Sequence, residues 1–136
     1  PSRLLDYSKP DLLTPNRHEA LEMAGRSRLS RDSLPQEEIV RTIFEKFEPG
    51  LLTITLGADG MLLAKNGKVE KIMPTAAREV FDVSGAGDTL ISSLTLALVA
   101  GANLEQAAEL ANVAAGIVVA KVGTATASPD EILSHL

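Results

Sequence analysis

The chain has 136 residues, 45% of them hydrophobic and 3% aromatic, with no Trp and no Cys. That is about one domain's length with an aliphatic core; it excludes disulfides and thiolate metal sites, and fits a reducing cytoplasm. A net charge of −5 without a long like-charged run argues against nucleic acid or an anionic membrane as partner, and no apolar run nears the ~18 residues of a membrane-spanning helix.

The opening Pro1-Ser2-Arg3-Leu4-Leu5-Asp6 has neither an initiator Met nor a signal pattern, so the sequence reads as part of a longer protein. Asp11-Leu12-Leu13-Thr14-Pro15 predicts a short buried strand stopped by Pro. Asn16 follows as an N-cap with Glu19 three residues on, and their helix is expected to reach about Ala24 and end at Gly25. Arg26 to Ser33 reads as a solvated basic loop. Pro35 is expected as a first helical residue, and Ile39, Val40, Ile43, Phe44 and Phe47 mark a core stripe that Pro49-Gly50 halts. Leu51 to Leu56 predicts a strand, Gly57-Ala58-Asp59-Gly60 a turn into the strand Met61 to Ala64, and Asn66-Gly67 a hairpin into Lys68 to Met73.

Arg78 to Val83 predicts a further strand. From Gly85 to Ala100 runs an almost wholly apolar helix, closed by Gly101, and hydrophobicity on every side predicts burial. Asn103 opens another helix to about Lys121 with Gly123 as its C-cap, and Ser128-Pro129 opens a short last one. Strands alternating with helices predict an α/β layered fold with a partly parallel sheet, whose ligands sit at strand carboxyl ends. Thr14-Pro15-Asn16, Thr55-Leu56-Gly57 and Val83-Ser84-Gly85 fall at such ends and are expected to converge on one crevice.

The chemistry concentrates in Phe81-Asp82-Val83-Ser84-Gly85-Ala86-Gly87-Asp88-Thr89. Gly85, Ala86 and Gly87 put almost no side chain in front of helix N–H groups that lack intrahelical partners and sit at the positive end of the dipole. An acid beside such an anion site suits a general base that takes a proton from an attacking hydroxyl, which is the role expected of Asp88; the bland alternative is a capping acid. Thr55, Gly57, Ala58, Asp59 and Gly60 form a glycine turn whose N–H groups could meet phosphates, and Asn112 is an amide in an apolar helix that needs partners. His18 and His135 have no metal-ligand spacing around them. The chain has no P-loop, no complete dinucleotide fingerprint and no KH-type setting for Gly57-x-x-Gly60.

Asp82-Val83-Ser84-Gly85-Ala86-Gly87-Asp88-Thr89 resembles the C-terminal signature of the ribokinase-like, or phosphofructokinase-B, carbohydrate kinases. The resemblance runs from Leu12 to Pro129. It implies a ribokinase-like fold of which residues 1–136 are the C-terminal, nucleotide-binding part, the sugar-binding half and its lid being absent, so that the chain by itself binds nucleotide weakly and transfers nothing. It implies Asp88 as catalytic base and Gly85, Ala86 and Gly87 as anion hole. Thr55-Leu56-Gly57-Ala58-Asp59-Gly60 then lines the ATP phosphate and nucleoside site, Asn16 and Glu19 support Mg²⁺ and phosphate, and Asn112 borders the nucleotide. Asp82, Ser84 and Gly123, with Val118 and Lys121 nearby, match positions around a monovalent-cation (K⁺) site, although Ala127 stands where some relatives have a Ser. Within the family, residues 73–89 and 111–124 resemble the heptose 7-phosphate kinases of ADP-heptose and lipopolysaccharide core synthesis. The implied acceptor is a small sugar phosphate; ribokinase, fructokinase or a non-catalytic nucleotide-sensing module are the alternatives, and a homo-oligomer stays open.

Overall fold

Runs of β-branched and aliphatic residues, buried on both faces at the centre, build the four-stranded sheet around which the first part of the chain folds. The computed structural model describes residues 9–26, 35–74, 86–121 and 126–136. The expected strand Arg78 to Val83 lies outside them. Strand order is β1 (Leu12–Leu13), β2 (Leu51–Thr55), β3 (Met61–Lys65) and β4 (Lys68–Met73). β1 and β2 are parallel and β2 and β3 antiparallel, so the sheet is mixed, as the α/β reading expects. Asn66 (φ 54°) and Gly67 (φ 77°) both take the left-handed conformation that a tight two-residue hairpin requires.

Two helices cover one face of this sheet. α1 (Arg17–Met23) starts at N-cap Asn16 and ends in a Schellman closure, in which Gly25 N–H donates to the Glu22 carbonyl and Arg26 N–H to the Leu21 carbonyl. α2 (Gln36–Phe47) has Pro35 as its N-cap and so starts one residue later than expected, the Pro35 carbonyl accepting the first helical N–H from Ile39. Period two puts Leu52, Ile54, Leu62 and Ala64 on one sheet face, and Ala20, Leu21, Ile39, Val40 and Ile43 close over it. Each large side chain buried there contributes ~1.5–3 kcal/mol. Thr53, Met61 and Leu63 are buried on the opposite side of the pleat, and Thr53 Oγ1 has no hydrogen-bond partner among the described residues.

The chain divides into two compact units: the sheet with α1 and α2, and a second made of Gly57–Gly60 with the residues from Met73 onward. In the second, α3 (Ala86–Val99) packs on α4 (Leu104–Val119). The alanines 107, 108, 111, 114 and 115 of α4 are buried, and such small side chains let helix axes approach closely. The expectation that α3 is buried all round is corrected: Leu90, Leu94 and Ala97 are buried, but Leu96 is 70% and Val99 81% exposed. A helix buries only the stripe a neighbour covers, and α4 covers one. α4 also stops at Val119 with Ala120 as C-cap, short of the expected Lys121. α5 (Pro129–His135) starts at N-cap Ser128 with Pro129 in its first turn and contributes no buried residue.

Candidate active site

In the sheet unit, the carboxyl end of β2 meets the start of α1. Thr55 and Asn16 form a parallel bridge, and Thr55 N–H donates to the Pro15 carbonyl at 3.1 Å. The structure thus brings together Asn16, Glu19 and Thr55. The acid is engaged, because Asn16 N–H donates to Glu19 Oε2 at 2.9 Å while Glu19 N–H donates to Asn16 Oδ1 at 2.9 Å, a full capping box. Arg17, which the motif reading missed, donates from Nη2 to the Leu56 carbonyl at 3.4 Å. The signal was available: a cation in a helix's first turn faces the wrong pole of the dipole, so Arg17 calls for another reason to be there.

In the second unit, Gly57–Asp59 form one 3₁₀ turn, closed by Gly60 N–H donating to the Gly57 carbonyl at 3.1 Å. Gly57 (φ 64°) and Gly60 (φ 96°) need their missing side chains, and a Cβ on Gly60 would overlap the Met73 carbonyl oxygen and stand 3.1 Å from Pro74 Cα. Ala58 and Asp59 are exposed on the turn. Asn112, 8% exposed in α4, donates from Nδ2 to the Pro74 carbonyl at 2.8 Å.

At the start of α3, Asp88 is exposed in the first turn. Its backbone carbonyl accepts from Ser92 Oγ at 2.7 Å, while its carboxylate has no partner among the described residues. Beside it Gly87 faces open space: a Cβ there would meet nothing within 4 Å. Ala86 opens the helix; Gly85, Asp82, Ser84 and Gly123 lie outside the described residues.

Elsewhere in the second unit, Lys121 Nζ donates to the Thr126 carbonyl at 2.6 Å and pairs with Glu131 at 2.8 Å. The Lys121 ammonium, then the Ser128 backbone N–H and hydroxyl, bring the Glu131 carboxyl down to about 2. A cavity of about 210 Å³ is lined by Val113, Gly116, Ile117, Ala120 and His135, none of them an expected site residue. His18 pairs with Glu22 across one helical turn at 3.5 Å. Among the described residues no three His, Cys, Asp or Glu side chains cluster as a metal site, and no helix is long and apolar enough to cross a membrane.

The model of the pfkB family of carbohydrate kinases matches residues 2–131. The chain belongs to that family. It is 47% identical over 135 residues to the bifunctional protein HldE of Desulfatibacillum aliphaticivorans, which covers 97% of this chain and 27% of the relative. The family's fold is present too: ribokinase from Thermotoga maritima superposes on 91% of this chain with a TM-score of 0.75 at 26% identity, 41% of that structure being matched. Ribokinase of Cryptococcus neoformans var. grubii, solved in complex with ADP, superposes on 93% with a TM-score of 0.72 at 25% identity, 45% of that structure being matched. The chain therefore spans about a quarter of its HldE relative and less than half of each of these ribokinases.

Proposed function

We propose that this chain carries the nucleotide side of an ATP-dependent sugar kinase, with Asp88 as the catalytic base. The observation that carries the reading is the exposed Asp88 carboxylate, without a partner among the described residues, beside Gly87 and its open space in the first turn of a helix in a pfkB-family chain. In the reaction the acceptor hydroxyl gives its proton to Asp88, its oxygen forms a bond to the γ-phosphorus of ATP, and the bond from that phosphorus to the β–γ bridging oxygen breaks, releasing ADP. N–H groups of residues 85–87 neutralise charge that grows on the transferring group, and positioning accounts for much of the rate. The turn Gly57–Gly60 receives phosphate through its backbone N–H groups, with Thr55 and Asn112 supporting the nucleotide.

The residues fit Mg²⁺ in one respect: the capping box uses only Oε2 of Glu19, leaving a hard carboxylate oxygen without a partner among the described residues to hold the ion through water. When bound, Mg²⁺ would offset phosphate charge. The sugar-binding side is proposed to belong to the part of the kinase fold that the relatives carry beyond the matched stretch. The acceptor proposed is the anomeric hydroxyl of a heptose 7-phosphate, a step toward ADP-heptose in the cytoplasm. Its support is the likeness of residues 73–89 and 111–124 to heptose 7-phosphate kinases and the 47% identity to an HldE protein.

The test offers ATP with heptose 7-phosphate, fructose 6-phosphate or ribose to the natural full chain and identifies the product by phosphorus NMR. An anomeric phosphate on the heptose, formed with kcat/KM about tenfold or more above the other acceptors, is expected. Faster transfer to another sugar replaces the acceptor. ATP binding with no transfer to any sugar overturns the kinase reading in favour of a nucleotide sensor.

A further inference from the structure

Three segments of the second unit, far apart in sequence, meet at one backbone position. Gly60 closes the 3₁₀ turn and is buried, with so little space that a Cβ would overlap the Met73 carbonyl oxygen and stand 3.0 Å from its carbon. The next carbonyl, that of Pro74, accepts the hydrogen bond from Asn112 Nδ2 at 2.8 Å across 38 positions of sequence. Pro74 supplies no N–H of its own, so this stretch of chain as it leaves β4 cannot continue a ladder, and its placement depends on what grips its carbonyls. A side-chain donor from the buried body of α4 supplies that grip, and the turn's last residue rests against the same stretch.

We infer that Asn112 is a positioning residue: its amide holds Met73–Pro74 as a platform, and the platform fixes the turn Gly57–Gly60, the proposed phosphate-binding turn. Asn112 acts on nucleotide affinity through Pro74. The inference rests on the proposed nucleotide role of the turn. It assigns the Asn a function that its place in an apolar helix does not reveal, and it gives Gly60 a steric duty toward Met73 in addition to its left-handed φ.

Asn112→Asp keeps the side chain's shape and replaces the donor with an oxygen that faces the Pro74 carbonyl. Gly60→Ala disturbs the same contact from the other side and stands in should the first variant fail to fold. In nucleotide-free protein, the amide NMR signal of Gly57 is expected to move in both variants, and that of Gly60 in Asn112→Asp, while that of Glu131, on α5, stays in place. In kinetics, KM for ATP is expected to rise about tenfold, more than kcat falls, as loss of ground-state binding requires. A general loss of stability would not produce that split. Gly57 and Gly60 signals at their wild-type positions in Asn112→Asp would overturn the inference, as would displaced signals with an unchanged KM for ATP. If the wild type neither binds ATP nor transfers phosphate, the kinase reading falls on its own, and the NMR comparison still decides whether Asn112 sets the turn.

Discussion

Among the helices that begin with an acid in the first turn, α1 and α3 differ in how that acid is held. In α1, Glu19 is engaged from both sides, accepting the Asn16 N–H while its own N–H is accepted by Asn16. In α3, Asp88 has no partner for its carboxylate among the described residues, and a Cβ on the glycine before it would meet nothing within 4 Å. The same local pattern, favourable to the helix dipole in both places, is therefore closed into a cap in α1 and left exposed in α3. What separates them is whether the oxygen is already occupied.

The largest effect that would break this comparison is on rate. Asp88→Ala should lower phosphoryl transfer by ~10²–10⁴-fold, the usual contribution of a general base, as measured by ADP release. Its melting temperature should barely move, since an acid in the first turn adds only ~0.3–1 kcal/mol. Glu19→Ala should differ, costing about 1 kcal/mol in a denaturant titration and raising the Mg²⁺ concentration needed for half-maximal transfer, while transfer at saturating Mg²⁺ falls less than in the Asp88 variant. A Glu19 variant as inactive as the Asp88 variant would erase the distinction.

How far the sequence reveals these outcomes depends on the range of the interactions. The stripe Ile39, Val40, Ile43, the strand β2, the Asn66-Gly67 hairpin and the cap at Asn16 are legible because they are written within a few residues and repeat at a period of 3.6 or 2. The place of Asp88 in the first turn of α3 is legible too, since it stands in a dense local motif. Thr53 is not legible, because a β-branched residue suits a strand whether or not its hydroxyl finds a partner. The exposed side of α3 is hidden as well, since an all-apolar helix gives no sign of which neighbours cover it. Nor does sequence show the grip of Asn112 on Pro74 or the close approach of Gly60 to Met73, which arise only when segments many positions apart are folded together.

Smaller tests sharpen the account of engaged and unengaged groups. Thr53 is a buried hydroxyl without a partner among the described residues, so Thr53→Val should raise stability by ~1 kcal/mol in the same titration. A loss there would mean that the hydroxyl is satisfied. The smallest effect concerns Glu131, whose folded value of about 2 lies below its ordinary 4.5. A depressed carboxyl contributes stability that is complete above pH 4.5 and is lost as pH falls toward 2, so α5 should loosen in that window, seen as faster amide exchange at residues 131–135. Lys121→Met removes the first cause of the depression and should abolish most of that acid dependence.

The central claim is that Asp88 serves chemistry and not the binding of nucleotide or the fold. Asp88→Asn in the natural full chain, with ATP affinity measured by calorimetry and transfer followed in single turnover, tests it most directly. The expected result is ATP affinity within about twofold of wild type and transfer reduced by ~10²-fold or more. Transfer at the wild-type rate, or a loss explained wholly by weaker ATP binding, would contradict it.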